Sequence, residues 1–268
     1  MSYTTLKLEF ERLVLSGVEG ELATITLNRP EKRNAISSEM IEELVAALDE
    51  AEASAARVII VTGAGKAFCS GMDLDALKAV AFQSPEQNLQ DSRRMARLFR
   101  DLYSFSKPLI ALVNGPAIAG GCGIATLCDF TLAVPEATFG YTEIRIGFVP
   151  AIVSVFLIRQ IGEKRARDLL LTGRILDAAE AHRIGLVTEV VPVGKLFERG
   201  HELVASLLAS SPTSLLRAKR LLWHFSQSDI DRELELAIQE NASMRSTADF
   251  REGVASFLEK RKPVWRGE

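Results

Sequence analysis

The chain has 268 residues, 47% apolar and 25% charged, with a formal net charge of −3. That is the balance of a globular protein with a sizeable core, one large domain or one domain plus an appendage. It gives no general electrostatic case for nucleic acid, and no apolar run reaches the length needed to span a bilayer. The opening "MSYTTLKLEFERLVL" lacks the basic and apolar regions of a signal peptide. Cys69, Cys122 and Cys128 make an odd count without ligand-like spacing, which predicts reduced thiols in a cytoplasmic protein. His182, His201 and His224 are scattered in helical contexts, so no metal site is expected.

In chain order, "LKLEFERLVLSGVEGELATITLNRP" alternates polar and apolar residues and predicts two antiparallel strands, turning at Gly17 to Gly20 and ending near Leu27. Ser37 is a predicted N-cap, followed by Met40, Ile41, Leu44, Val45 and Leu48 at helical spacing. "RVIIVTGAG" predicts a buried strand and Pro85 to Phe105 a charged helix. "PLIALVN" predicts a second buried strand, and a helix is expected to open at about Gly120. "FTLAVPEATFG" returns as strands. After Ile144 the period is helical, with glycine stops at Gly162, Gly173 and Gly185 and one short strand in "LVTEVV". Residues 195–261 read as consecutive helices, one of them over Pro212 to Phe225. The order predicts an α/β core over 1–195 and a helical region over 196–268 that does not fold independently.

Several chemistries fail on spacing. "GAGKAF" lacks both the four-residue gap and the Ser or Thr of a phosphate loop. The glycines at 115, 120, 121 and 123 are out of register for a dinucleotide fingerprint. No serine-hydrolase elbow is present. Cys69 lies beside Ser70 and Gly71 with no histidine near in sequence, and reads as a buried inert thiol. What survives is a backbone argument. "SGMD" and "AGGCG" each follow a strand and turn sharply, and each can leave an N–H without a partner in the chain. Two such donors converging would cradle an oxyanion, favoured by the helix dipole at Gly120. Ordinary tight turns would account for the glycines equally well.

Six ordered segments then carry a wider pattern: "LNRPEKRNAI", "KAFCSGMDL", "KPLIALVNGPAIAGGCGIATLCDFTLA", "ATFGYTEIRIGFVP", "LLLTGRILDAAEAHRIGLVTEVV" and "EGVASFLEKRKP". Together they resemble the enoyl-CoA hydratase/isomerase (crotonase) family over almost the whole chain. The resemblance implies a spiral of repeated ββα units with a C-terminal helical trimerisation region, and trimers or hexamers. It implies an acyl-CoA substrate, with coenzyme A as part of the substrate and no separate cofactor. By residue matching, the backbone N–H groups of Met72 and Gly120 would hold the thioester oxygen, and Gly121 would let the chain pass close to it. Lys32, Arg33 and Ala35, then Lys66, Ala67 and Phe68, match contacts to coenzyme A. Ser70, Asp73 and Leu74, which flank the first oxyanion donor, are expected to add to the coenzyme A contacts. Phe257 and Lys260 match residues that reach coenzyme A near a subunit interface.

The catalytic acid implied by the resemblance is Glu143, expected to be desolvated by Phe139, Tyr141, Ile144 and Phe148. Asp73 is otherwise a helix cap and Asp129 a structural hydrogen-bonding residue. The chain departs from familiar hydratases in two places. Their first glutamate falls at Gly123, and "PAIVSVFLIRQ" replaces their second glycine-rich run. Isomerases of the family often keep only the acid matching Glu143. Some branches similar to methylglutaconyl-CoA hydratases also carry glycine at this point. The expected activity is therefore enoyl-CoA hydration, with Δ3-Δ2-enoyl-CoA isomerisation and a catalytically weak acyl-CoA-binding protein as alternatives.

Overall fold

The computed structural model describes residues 3–15, 18–80 and 83–267. Strand β1 (Leu6–Leu15) pairs antiparallel with β2 (Val18–Leu27), with Leu15 opposite Val18. Val18 to Gly20 are strand and not part of a turn, against the turn predicted at Gly17 to Gly20; residues 16 and 17 lie outside the described residues. Helix α1 (Ser38–Ala53) starts where Ser37 Oγ accepts from Met40 N–H, satisfying one free donor of the first turn. Of its predicted core stripe, Met40, Leu44 and Leu48 are buried, while Ile41 and Val45 are half-buried.

Strand β3 (Val58–Gly63) is buried along its length. Helix α2 (Leu74–Val80) is followed by α3 (Pro85–Ser104), which opens on a reciprocal cap between Ser84 and Gln87. Then come β4 (Leu109–Val113), β5 (Ala117–Ile118), α4 (Gly120–Thr126), β6 (Phe130–Ala133) and β7 (Thr138–Gly140). Helices α5 (Ala151–Ile161) and α6 (Glu163–Thr172) end at Gly162 and Gly173, as predicted. The chain continues through β8 (Leu176–Asp177), α7 (Ala178–Arg183), β9 (Glu189–Val190), α8 (Leu196–Leu208), α9 (Pro212–Met244) and α10 (Ala248–Leu258).

The main sheet runs β1-β2-β3-β4-β6-β9 and is parallel after its first pair. Strands β5, β7 and β8 form a second, three-stranded sheet. Parallel strands covered on both faces need continuous apolar runs, which "VIIV" and "LIALV" supply. Helix α8 belongs to this core: Leu208 packs over Gly20, and Leu112 fills the space beside Gly200. Helix α9 lies against α3 and α5. It extends 19 residues beyond the predicted Phe225 end, to Met244, because no glycine or proline interrupts the run.

Asp129 accepts from Leu109 N–H at 2.7 Å and from Lys219 Nζ at 2.6 Å, tying α9 to the start of β4. It is the structural residue expected. The three thiols are buried and unpaired, and burial pushes Cys69 and Cys122 up to about 12, which keeps them inert at neutral pH. Among the described residues there is no cluster suited to a metal ion. No described helix is long and apolar enough to cross a membrane.

Candidate active site

The site begins with two abutting turns. Residues 70–73 run beside 33–36: Ser70 N–H donates to Arg33 O, Ile36 N–H to Gly71 O and Asp73 N–H to Ile36 O. In this parallel bridge the donors alternate in direction, so Met72 N–H points away from Ile36. Gly71 has φ +90°, a conformation that favours glycine, and a Cβ there would stand 3.2 Å from both Ala119 Cβ and Ile118 O. The second turn therefore lies directly against the first.

In that second turn Ala119 has φ 53° and ψ −125°, a strained conformation for a residue with a side chain. Its own N–H donates to Gly140 O at 2.7 Å, which holds it there. Gly120 follows as the first residue of α4. Among the described residues neither Met72 N–H nor Gly120 N–H has a hydrogen-bond acceptor, and both residues line one cavity of about 710 Å³. The volume is that of a small-molecule site.

The remaining glycines of this stretch serve packing. A Cβ on Gly121 would stand 2.5 Å from Cys69 O and 2.7 Å from Cys69 Sγ. Gly121 thus lets α4 approach Cys69 and is not in the cavity lining, which corrects the reading implied by the resemblance. A Cβ on Gly123 would stand 2.6 Å from the tip of the Phe99 ring. Where familiar hydratases place their first glutamate, an aromatic ring from α3 occupies the space, and Phe99 also lines the cavity.

Glu143 opens a 3-10 turn over Glu143–Ile146 that ends at Gly147 in the left-handed conformation. The residue lines the same cavity, and its Oε2 is buried with no hydrogen-bond partner. Desolvation raises its pKa to about 7, opposed only in part by a hydrogen bond from its own N–H. The apolar surroundings differ from those expected. Phe139 and Tyr141 are sealed in the core, Ile144 is exposed, and Ile146, Phe148 and Val149 line the cavity.

Asp73 is the opposite case. It is buried, yet its carboxylate meets Arg29 at 2.8 Å and Lys32 at 3.3 Å, and caps α2 by accepting from Asp75 N–H. Burial alone would raise its pKa; these bonds outweigh it and hold it below the usual value. Lys32, Arg33, Ala35, Ser70, Leu74 and Phe257 join Met72, Asp73, Gly120 and Glu143 around the cavity. Lys66, Ala67, Phe68 and Lys260 are not in its lining. Phe68 is fully buried in the core and Lys66 is exposed.

Sequence reasoning missed Phe99 and a polar group on the same wall: Asp91, Arg94, Asn241 and Arg245. The signal for the last two was present. Ile230, Leu234, Ile238, Asn241 and Arg245 follow one helical stripe, so a polar pair continues the buried face of α9.

The comparisons with known proteins agree with this architecture. The family model described as "Enoyl-CoA hydratase/isomerase" matches residues 17–268. A Thermus thermophilus protein named "Putative enoyl-CoA hydratase" is 45% identical over 91% of this chain and 97% of its own. The "Short-chain-enoyl-CoA hydratase" of Clostridium acetobutylicum is 34% identical over 91% of this chain and 94% of its own. A crystal structure of an enoyl-CoA hydratase from Mycobacterium avium superposes with a TM-score of 0.84 at 32% identity, covering 97% of this chain and 98% of that one. Fold, turn geometry and full-length similarity converge, and the chain belongs to the enoyl-CoA hydratase/isomerase family.

Proposed function

We propose that this chain adds water across the double bond of a 2-enoyl-CoA thioester. The observation that carries this reading is Glu143, a carboxyl with Oε2 buried and unpartnered and a pKa of about 7, in a cavity that also presents two free backbone N–H groups. At neutral pH both of its protonation states are populated, so one group can accept a proton and return it. The carboxylate takes a proton from water as the water oxygen bonds to C3. The electron pair of the double bond moves onto the thioester oxygen as an enolate. Met72 N–H and Gly120 N–H stabilise that oxygen, and each donor contributes about 3 kcal/mol of barrier lowering. The enolate then takes the proton from Glu143 at C2, which restores the carboxylate. Lys32 and Arg33, at the part of the wall that carries exposed cations, suit the phosphates of coenzyme A. Coenzyme A enters as part of the substrate.

A second reading rests on Phe99. With its ring against Gly123 the site has one acid where familiar hydratases have two, and one acid suffices to move a proton between C2 and C4 of a 3-enoyl-CoA. Ultraviolet assays decide. Loss of enoyl absorbance from crotonyl-CoA supports hydration, and its appearance from a 3-enoyl-CoA supports isomerisation. Coenzyme A thioester binding without turnover of either would leave a binding protein. Full activity of Glu143→Gln in both assays would remove Glu143 from the mechanism.

The same reading extends to assembly in a cytoplasmic homotrimer or a hexamer of two trimers. Leu221, Leu222 and Phe225 on α9 are 54%, 67% and 73% exposed, an apolar face suited to a second copy of the chain. Light scattering of wild type and Phe225→Glu tests it: the wild type should be trimeric or larger and the variant smaller.

A further inference from the structure

The cavity that holds Glu143 contains a second buried ionisable group with an unusual balance of partners. Arg245 follows α9 and is 4% exposed. Its Nη2 donates to Asn241 Oδ1 at 3.2 Å, and that same oxygen also accepts from Ser92 Oγ. Its Nε and Nη1 are buried without a hydrogen bond. Among the described residues the carboxylate near it is Asp91, 3.6 Å from Nη1 and beyond hydrogen-bond reach. Asp91 is already engaged, since Arg94 Nη1 donates to it at 3.1 Å. Glu42 approaches Arg94 only, at 3.9 Å from the solvent side.

Asp91 is thus shared by two guanidinium groups, and Arg94 has Glu42 as a second partner, so Arg245 is the one of the two without a hydrogen-bonded carboxylate. Burial works against the charged form of Arg245, and Asp91 offsets this only in part. Phe148 lies 5.7 Å from the guanidinium carbon. A face of aromatic π electrons favours a cation but does not supply the acceptor that its free N–H groups lack. Nε and Nη1 lie on different edges of the guanidinium, so a carboxylate would accept from one of them in a charge-assisted hydrogen bond. The phosphates of coenzyme A have the exposed Lys32 and Arg33 for partners, whereas Arg245 is sealed from solvent on the side of Phe148 and Phe250.

We propose that Arg245 recognises an anionic end of the acyl chain, so that the preferred thioester is that of a dicarboxylic acid. This rests on the reading of the cavity as an acyl-CoA site, but not on which reaction occurs there. Asp91, 3.6 Å from Nη1, is the anion with which an entering carboxylate competes. An entering carboxylate then gains a charge-assisted hydrogen bond, roughly a 10- to 100-fold gain in affinity over an uncharged chain of equal length.

The test is binding, which needs no turnover. Calorimetry compares saturated thioesters in matched pairs, adipyl-CoA with hexanoyl-CoA and the corresponding pairs from four to eight carbons. Wild type should prefer the dicarboxylyl member of at least one pair by about tenfold or more. Arg245→Met should abolish that preference, and Arg245→Lys should keep part of it. Asp91→Asn, which removes the competing carboxylate, should increase it, an outcome that damage to the fold would not produce. Absence of any preference in wild type across the series overturns the proposal. So does an Arg245→Met variant that weakens both members of a pair equally, which would assign the guanidinium to coenzyme A itself. If no thioester binds at all, the acyl-CoA reading of the cavity fails with it. If the preference is found but no enoyl thioester is turned over, only the hydratase reading fails.

Discussion

Asp73 and Glu143 are two carboxylates on the wall of one cavity, and their surroundings drive them in opposite directions. Asp73 sits in a turn saturated with donors: Arg29, Lys32 and the N–H of Asp75. Glu143 sits on a turn that offers it only its own N–H and leaves Oε2 bare. The first acid is fixed as an anion and so is useless for moving protons. The second is poised near neutrality. Burial alone makes neither outcome; the number of donors supplied with it decides.

That contrast can be broken at several points. The largest effect should come from Glu143→Gln, which removes the only proton carrier of the proposed reaction while keeping its size. Hydration of crotonyl-CoA should fall about 1000-fold, followed as the loss of enoyl absorbance. In wild type kcat/KM should rise as pH passes through about 7 and then level off, because the carboxylate is the form that accepts the proton. A flat profile would show that another group carries the chemistry.

Asp73→Asn should act on stability. It leaves Arg29, which is 15% exposed, without its anion, at a cost of about 3 kcal/mol in urea unfolding at neutral pH. Since the folded pKa of Asp73 is lowered, this stabilisation is present above the ordinary Asp value and is lost as pH falls through the folded one. The gap between wild type and variant should therefore close in acid.

The sign reverses at Glu143. Its folded pKa is raised, so ionisation opposes folding as pH climbs from the ordinary Glu value through about 7. Glu143→Gln should then be more stable than wild type at about pH 8, by on the order of 2 kcal/mol, with the difference vanishing below about pH 4. A variant that loses activity and gains stability would confirm that the site is held against its own preference. The smallest effect is expected from Gly123→Ala. Its added methyl meets the Phe99 ring and should cost about 1 kcal/mol, and thermal melting should show that Phe99→Leu relieves it.

Elements with one strong local signal were legible in the sequence. "VIIV" and "LIALV" are apolar without interruption, and Ser37 caps the helix that follows it. Glu143, Met72 and Gly120 were reached through ordered segments, and the structure puts them around one cavity. What stayed hidden was what depends on distant partners. The need for glycine at 121 and 123 comes from Cys69 and Phe99, which local sequence does not place there. Lys32 reads as a coenzyme A contact, and its partners Asp73 and Asp75 are not evident until the fold brings them to it. Arg245 reads as the polar end of a helix until Asp91 and Phe148 close around it.

The packing of α10 carries a consequence for the order of assembly. A Cβ on Gly253 would overlap Ile146 O, and one on Gly147 would overlap Asp249 O, so α10 and the Glu143 turn fit together backbone to backbone. The acid is thus braced by residues about a hundred positions later in the chain. During synthesis the strands of the main sheet can pair well before that brace exists. A nascent chain without α10 would hold most of the core yet lack a firmly seated Glu143. Seating of that turn would come last, gated by synthesis of α10 rather than by formation of the core.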